Sequence, residues 1–242
     1  MLTGLYGVLP KYRGMGIGVL LFQKCLEFAG NRNISLYAVS DMRQKYIDRY
    51  HFIGSGISMV SFSGAVNRLA FDKPTLDSKI KITTIEKKQQ VFKDLIRFDN
   101  EIFNWPNNFN REKLFENALK EPNYYSKIAL LESTNQVLGF GCVRKNENLE
   151  NTFNCGPILG KTPETCQKIL ESFIDELIPS DQGQTHLIFN AIDANEQSLV
   201  LAREFLGLSL TGKCEILHKN PVSEPQYQYQ YIYSVFSLDF GL

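Results

Sequence analysis

The 242-residue chain is poor in the residues that metal and disulfide chemistry need: it has five cysteines, three histidines and one tryptophan. The cysteines (Cys25, Cys142, Cys155, Cys166, Cys214) are odd in number and show no C-x-x-C spacing. Most sit in apolar stretches, where cysteine acts as a small core hydrophobe. His51, His186 and His218 are scattered, so no structural metal is expected. Charge of one sign is also missing. Lys plus Arg number 26 and Asp plus Glu number 26, and Lys87-Lys88 reads as a solvated pair, which argues against a nucleic-acid partner. No charged segment leads into a long apolar run at the start, so no signal peptide is read. No stretch approaches the ~20 apolar residues of a membrane helix. A soluble, cytoplasmic protein without a membrane partner is the expectation.

What is present is an ordinary globular composition, 43% apolar and 21% charged, enough for one large domain or two small ones. Met1 to Pro10 reads as a strand that stops at the proline, which offers no N–H. After Lys11 to Gly18, the residues Ile17, Leu21, Cys25 and Phe28 fall on one helical face with Leu20 beside them, and Gly30-Asn31 marks the stop. Ile34 to Val39 suits a buried parallel strand. Ser40 and Asp41 are helix-capping types before a helix to Tyr50, and Ile57 to Phe62 is a further strand. The order strand-loop-helix-strand-helix-strand argues a mixed sheet with crossover helices.

A polar connector at 72–79 separates this part, residues 1–71, from residues 80–242, which are expected to fold independently. There Ile80 to Thr84 reads as a strand, Lys87 to Arg97 and Arg111 to Leu119 as helices, and Ile128 to Glu132 with Val137 to Arg144 as a hairpin. A strand near Phe153 ends at Gly156-Pro157. A helix at Pro163 to Leu177, a strand at His186 to Ile192, a helix at Asn195 to Leu206 and strands at Gly212 to His218 and Tyr231 to Leu238 follow. Strand, helix, strand, helix, strand thus occurs twice, an internal repeat of architecture with little sequence identity.

Arg13-x-x-Gly16-x-Gly18, placed between a strand and a helix, makes physical sense as an anion cradle. Glycines let the backbone turn sharply and leave its amides unobstructed. First-turn N–H groups lack intrahelical partners, and the helix dipole adds partial positive charge. Arg13 is a further contact for a pyrophosphate.

The run Val8-Leu9-Pro10-Lys11-Tyr12-Arg13-Gly14-Met15-Gly16-Ile17-Gly18 resembles motif A of the GNAT acetyltransferase superfamily. The resemblance implies that Arg13, Gly14, Met15, Gly16, Ile17 and Gly18 hold the pyrophosphate of acetyl-CoA. It implies that Val8 and Leu9 bond its pantetheine arm through backbone atoms, in a splay between two strands. It extends through Ile34 to Val39 and the helix ending at Phe52. Set on the family's Asn-x-x-Ala-x-x-Leu-Tyr-x-x-x-Gly-Phe pattern, Ser40 stands at the asparagine, Ile47 at the acid-donating tyrosine and His51 at the glycine. Tyr46 is one residue off and Tyr50 three, and these two are the candidate acids. Strand Leu2 to Leu9 carries no carboxylate to take an amine's proton.

Residues 80–242 resemble the C-terminal domain of YitH-like acetyltransferases through Val137 to Arg144, Gly156 to Leu159 and Tyr233 to Gly241. Their loop, Leu159 to Pro163, lacks the arginine and paired glycines, so poor pyrophosphate binding is implied. The implied fold is α/β with a mixed sheet, two GNAT-like domains in tandem, the first without the strands and helices that precede motif A in the family. An open edge at Leu2 to Leu9 would invite oligomerisation. Two functions stay open: an acetyl-CoA-dependent N-acetyltransferase acting on a primary amine acceptor, or a catalytically weak acyl-CoA-binding or interaction protein. Trp105, Phe109 and Tyr227 to Tyr233 could line an acceptor pocket.

Overall fold

The computed structural model describes residues 7–66, 79–85, 90–104, 111–177, 185–220 and 227–235. The chain divides into two compact units: Met1–Met59 with Lys213–Glu224 and Leu238–Leu242, and Val60–Gly212 with Pro225–Ser237. The connector expected at 72–79 lies almost wholly outside the described residues, as do Met1 to Tyr6, Trp105, Phe109 and the end of the last expected strand.

In the first unit a short 3-10 turn, Pro10–Tyr12, leads to α1 (Ile17–Ala29), β1 (Ile34–Val39) and α2 (Ser40–Tyr50). Gly7 to Leu9, read from sequence as strand, have no regular structure. β1 was expected to pair in parallel. Its described partner is antiparallel β8 (Ser209–Lys219), from Ile34↔Lys219 to Val39↔Cys214. A short apolar run fixes that a strand is buried, not which partner it takes.

Ile34, Leu36, Ala38 and Leu217 share a core with Phe22 and Ala29 of α1 and with Tyr50 and Phe52. Helix α1 therefore buries a different stripe from the one its leading apolar residues suggest. Phe22 and Ala29 are buried and Leu26 packs beside them, while Leu20 and Phe28 are 63% and 72% exposed. Val19, Phe22, Leu26 and Ala29 also repeat at helical spacing. With two apolar stripes on one helix, periodicity cannot choose between them.

The second unit is built from β3 (Ile80–Thr84), α3 (Gln90–Phe103), α4 (Glu112–Ala118), β4 (Tyr124–Leu131) and β5 (Val137–Lys145). It continues with β6 (Thr152–Gly160), α5 (Pro163–Leu177), β7 (Thr185–Ile192), α6 (Glu196–Val200), a π-helical turn Leu201–Phe205, and β9 (Ile232–Ser234). β3, β4, β5 and β6 pair antiparallel in sequence order, and β6 pairs in parallel with β7. The sheet is mixed and the fold α/β.

Strand β6 does not stop at Gly156-Pro157, because Ile158 and Leu159 go on pairing beyond the proline. On α3, Phe92, Leu95, Ile96, Phe98, Ile102 and Phe103 make a wide apolar stripe. Asp99 on that helix is fully buried and accepts from both Nε (3.0 Å) and Nη2 of Arg111, whose guanidinium lies 4.2 Å from the Phe103 ring. Truncating either partner would leave a buried charge alone, at a cost of about 3–5 kcal/mol.

The long strands β2 (Ile53–Val66) and β8 each contribute residues to both units. Val60, Phe62 and Val66 of β2 belong to the core that α5, β6 and β7 build. A chain beginning at residue 80 would lack these side chains, so the independent folding expected for 80–242 depends on a strand that lies before it.

Candidate functional site

The residues singled out around motif A fold locally into a glycine-lined turn. Pro10 sets the φ of a 3-10 turn, Tyr12 N–H donates to Leu9 O at 2.9 Å, and Arg13 N–H donates to Pro10 O at 3.1 Å. Gly14 and Gly16 then take φ of +82° and +80°, a left-handed conformation open to glycine at no steric cost. A Cβ built on either would meet no atom within 4 Å, so both glycines face open space. Gly16 is also the N-cap of α1, and no side chain caps the helix there. Its carbonyl accepts from Val19 (3.0 Å) and Leu20 (3.1 Å), while the amides of Ile17 and Gly18 find no acceptor within their own helix. Donors, dipole and space therefore coincide, which is what a pyrophosphate needs.

Arg13 donates from Nε to Val8 O at 3.0 Å, a bond that engages the carbonyl of one of the two residues expected to hold a pantetheine arm. Leu9 and Met15 are exposed. Ser40 opens α2 directly after β1 and is exposed. The turn gathers Val8 through Gly18 by sequence proximity alone, and Ser40 enters from the end of β1.

Both candidate acids sit on α2 in an aromatic group with α1. The Tyr50 ring meets Phe22 edge-on at 4.7 Å and is 7% exposed. The Tyr46 ring lies 5.3 Å from Phe22 and 6.0 Å from Phe52, and is half-buried. Packing is thus the dominant environment of Tyr50, and Tyr46 stands nearer solvent. His51, at the family's glycine, adopts φ 57° and ψ 39°, and its N–H donates to Ile47 O. The backbone there keeps the left-handed geometry a glycine would favour, on a residue that holds it less easily.

Two polar pairs of the first unit escape sequence reasoning, because 172 and 183 residues separate their members. Arg43 on α2 forms a two-pronged ion pair with Glu215 on β8, and the carboxylate raises the arginine's pKa. Ser35 Oγ lies 2.8 Å from His218 Nδ1 across the β1–β8 pair, and burial lowers the pKa of His218. Nothing local in the sequence marks either pair.

The corresponding turn of the second unit is closed. Thr162 Oγ1 accepts from Thr165 N–H at 3.2 Å and shares a 2.9 Å bond with Thr165 Oγ1, so α5 is capped by its own loop. A Cβ on Gly160 would stand 2.4 Å from Cys166 Sγ. Lys161 faces Glu101 at 3.9 Å across a polar hollow. Among the described residues no group of three His, Cys, Asp or Glu side chains is placed to hold a metal, and no helix is long and apolar enough to cross a membrane.

Residues 4–52, which span the turn, β1 and α2, match the model of the Acetyltransferase (GNAT) family. No curated protein sequence is similar to the chain at a significant level. Solved structures are similar in fold. A proposed acetyltransferase from Pyrococcus horikoshii shares 19% identity over 99% of this chain and 72% of its own, with a TM-score of 0.69. A tandem GNAT protein from the clavulanic acid biosynthesis pathway shares 13% identity over 92% of this chain and 76% of its own, with a TM-score of 0.65. A GCN5-related N-acetyltransferase from Sphaerobacter thermophilus shares 13% over 88% and 70%, with a TM-score of 0.60. At such identities the shared property is the fold. The chain therefore has the mixed α/β fold of the GNAT acetyltransferases, and its residues 4–52 carry that family's sequence pattern.

Proposed function

We propose that the chain is an acyl-CoA-dependent N-acetyltransferase for a primary amine, with the coenzyme held by the first unit and a YitH-like companion formed by the second. The observation that carries this reading is the open, uncapped glycine turn at the start of α1. Gly14 to Gly18 would bind the pyrophosphate through backbone amides, with Arg13 as a charged contact and Ser40 along the arm. Bound there, acetyl-CoA supplies an activated acetyl thioester. Of the two tyrosines, Tyr46 is the better placed to give a proton to the leaving thiolate, because Tyr50 is packed in the core. The acceptor is an amine in the cytoplasm, and no metal takes part.

A second reading, a weak or inactive acyl-CoA-binding protein, is favoured by one observation. The position of the acid in the family pattern holds Ile47, and the neighbouring tyrosines spend their rings on Phe22. Proton-transfer groups contribute typically ~10²–10⁴-fold each. Calorimetry with desulfo-coenzyme A and a thiol-release assay with an amine panel separate the readings. Binding with slow, amine-dependent thiol release is expected. Binding without any amine-dependent release would favour the second reading, and absence of binding would sink both.

A further inference from the structure

Strands β6 and β7 pair only from Thr152↔His186 to Cys155↔Phe189. Beyond that point the chain's own β9 lies between them. Ile158↔Ser234 and Leu159↔Ile232 pair antiparallel, and Val235 N–H donates to Asn190 O of β7 at 2.9 Å. The segment is held by more than its two neighbouring strands. Asn195 Nδ2, at the start of α6, donates to Gln230 O (3.2 Å) and Ile232 O (3.0 Å), and Ser198 Oγ donates to Tyr233 O. Ser234 Oγ donates to Cys155 O at 2.6 Å and accepts from Asn190 N–H at 3.3 Å. Further upstream, Gln228 bonds the last carbonyls of α3, its N–H to Ile102 O and its side-chain amide to Glu101 O.

Ser234 and Ser198 are fully buried and Asn195 nearly so. Asn195 and Ser198 on the cleft and Ser234 on the segment are polar groups that burial obliges to bond, and seating the segment in the cleft satisfies all three. We propose that the cleft between β6 and β7 is a peptide-strand site, with residues 227–235 as its resident ligand in cis, and that it does not take acyl-CoA. Three elements read the main chain there, the pattern of recognition by strand addition. Specificity comes from a hydroxyl-sized slot at Ser234 and from the core position of Tyr233, which packs in one cluster with Cys166. Emptying the slot would leave buried donors and acceptors unpaired. The closed turn Gly160 to Pro163 excludes a pyrophosphate on independent grounds.

The peptide site stands without the acetyl-transfer reading. Its consequence, one acyl-CoA per chain, rests on that reading. The test uses a synthetic peptide of residues 227–235 and the full chain carrying Ser234→Pro, which removes one N–H and the slot hydroxyl. Saturable binding is expected, with a Tm rise of about 4 °C on peptide addition, and no binding to the wild type, whose cleft is filled. If Ser234→Pro does not fold, Val235→Pro, which removes the N–H given to Asn190 O and leaves the cleft's own side chains intact, takes its place. A folded variant that ignores the peptide overturns the proposal. In the wild type, amides of 232–235 should keep their hydrogen-exchange protection under saturating desulfo-coenzyme A. Two equivalents bound, with those amides deprotected, would also overturn it. Absence of any coenzyme binding would count against the acetyltransferase alone, and the peptide arm would still decide the site.

Discussion

At the start of α1 two left-handed glycines face open space, whereas at the start of α5 Thr162 caps the helix and Gly160 packs against Cys166. Both turns lead into helices of similar length, Ile17–Ala29 and Pro163–Leu177. Every helix start leaves amides to be satisfied. In the second unit the loop satisfies them internally, and β9 fills the neighbouring cleft as well. In the first unit no side chain caps the helix, and the turn is left able to serve a ligand. One helix start is thus closed by its own loop and the other is left without a side-chain cap. The difference comes from a few side chains rather than from the fold.

Thiol labelling gives the largest contrast. Cys142, Cys155 and Cys166 of the second unit are buried and burial pushes their thiols up, Cys155 to about 12. They should react only through opening of the structure, at least about 10³-fold slower than Cys25, which is partly exposed in the first unit. Cys214, raised by partial burial, should fall between. Mass spectrometry of a labelling time course checks this, and early modification of Cys155 or Cys166 would mean that the second unit is not closed.

Coenzyme binding comes next. Gly16→Val places a β-branched residue at φ +80° and a side chain over the open face of the turn. It should weaken desulfo-coenzyme A binding by about 100-fold, the worth of one or two charge-assisted hydrogen bonds. Lys161→Ala should leave binding unchanged. Equal losses would break the distinction between the two turns. Stability should reverse the ranking: Gly160→Ala must displace Cys166 and should cost about 1–3 kcal/mol in denaturant unfolding.

The smallest expected effect is a pH dependence of the first unit. Burial lowers the pKa of His218 in the folded chain, so the unfolded chain binds that proton more tightly. The stability in question is present above the unfolded pKa of about 6.5 and is lost as pH falls below it toward the folded value. Thermal melts from pH 7.5 to 5 should show this decline, flattened in His218→Gln. An unchanged slope in the variant would remove His218 from the account.

Much of the second unit was readable locally. Ile80 to Thr84 is a strand as its composition indicates, and α5 begins at Pro163 and ends at Leu177 as expected. Proline and glycine punctuation, with strong periodicity, leaves few alternatives there. The glycine turn was equally legible, because its residues are adjacent and its conformation follows from their type. The buried stripe of α1, the antiparallel partner of β1 and the continuation of β6 past Pro157 were not. In each of these, several local solutions have similar energy and a remote segment chooses.

The amino-acid sequence by itself determined the mixed α/β class, the positions of most helices and strands, and the left-handed glycine turn before α1. Each depends on backbone preferences within a few residues. Only the tertiary structure decided that Arg43 meets Glu215, that Ser35 meets His218, that β2 and β8 each contribute residues to both units, and that Ser234 closes the cleft beside Cys155. Those outcomes depend on which distant surfaces bury the most apolar area while leaving no polar group unpaired, a choice made by the whole chain at once.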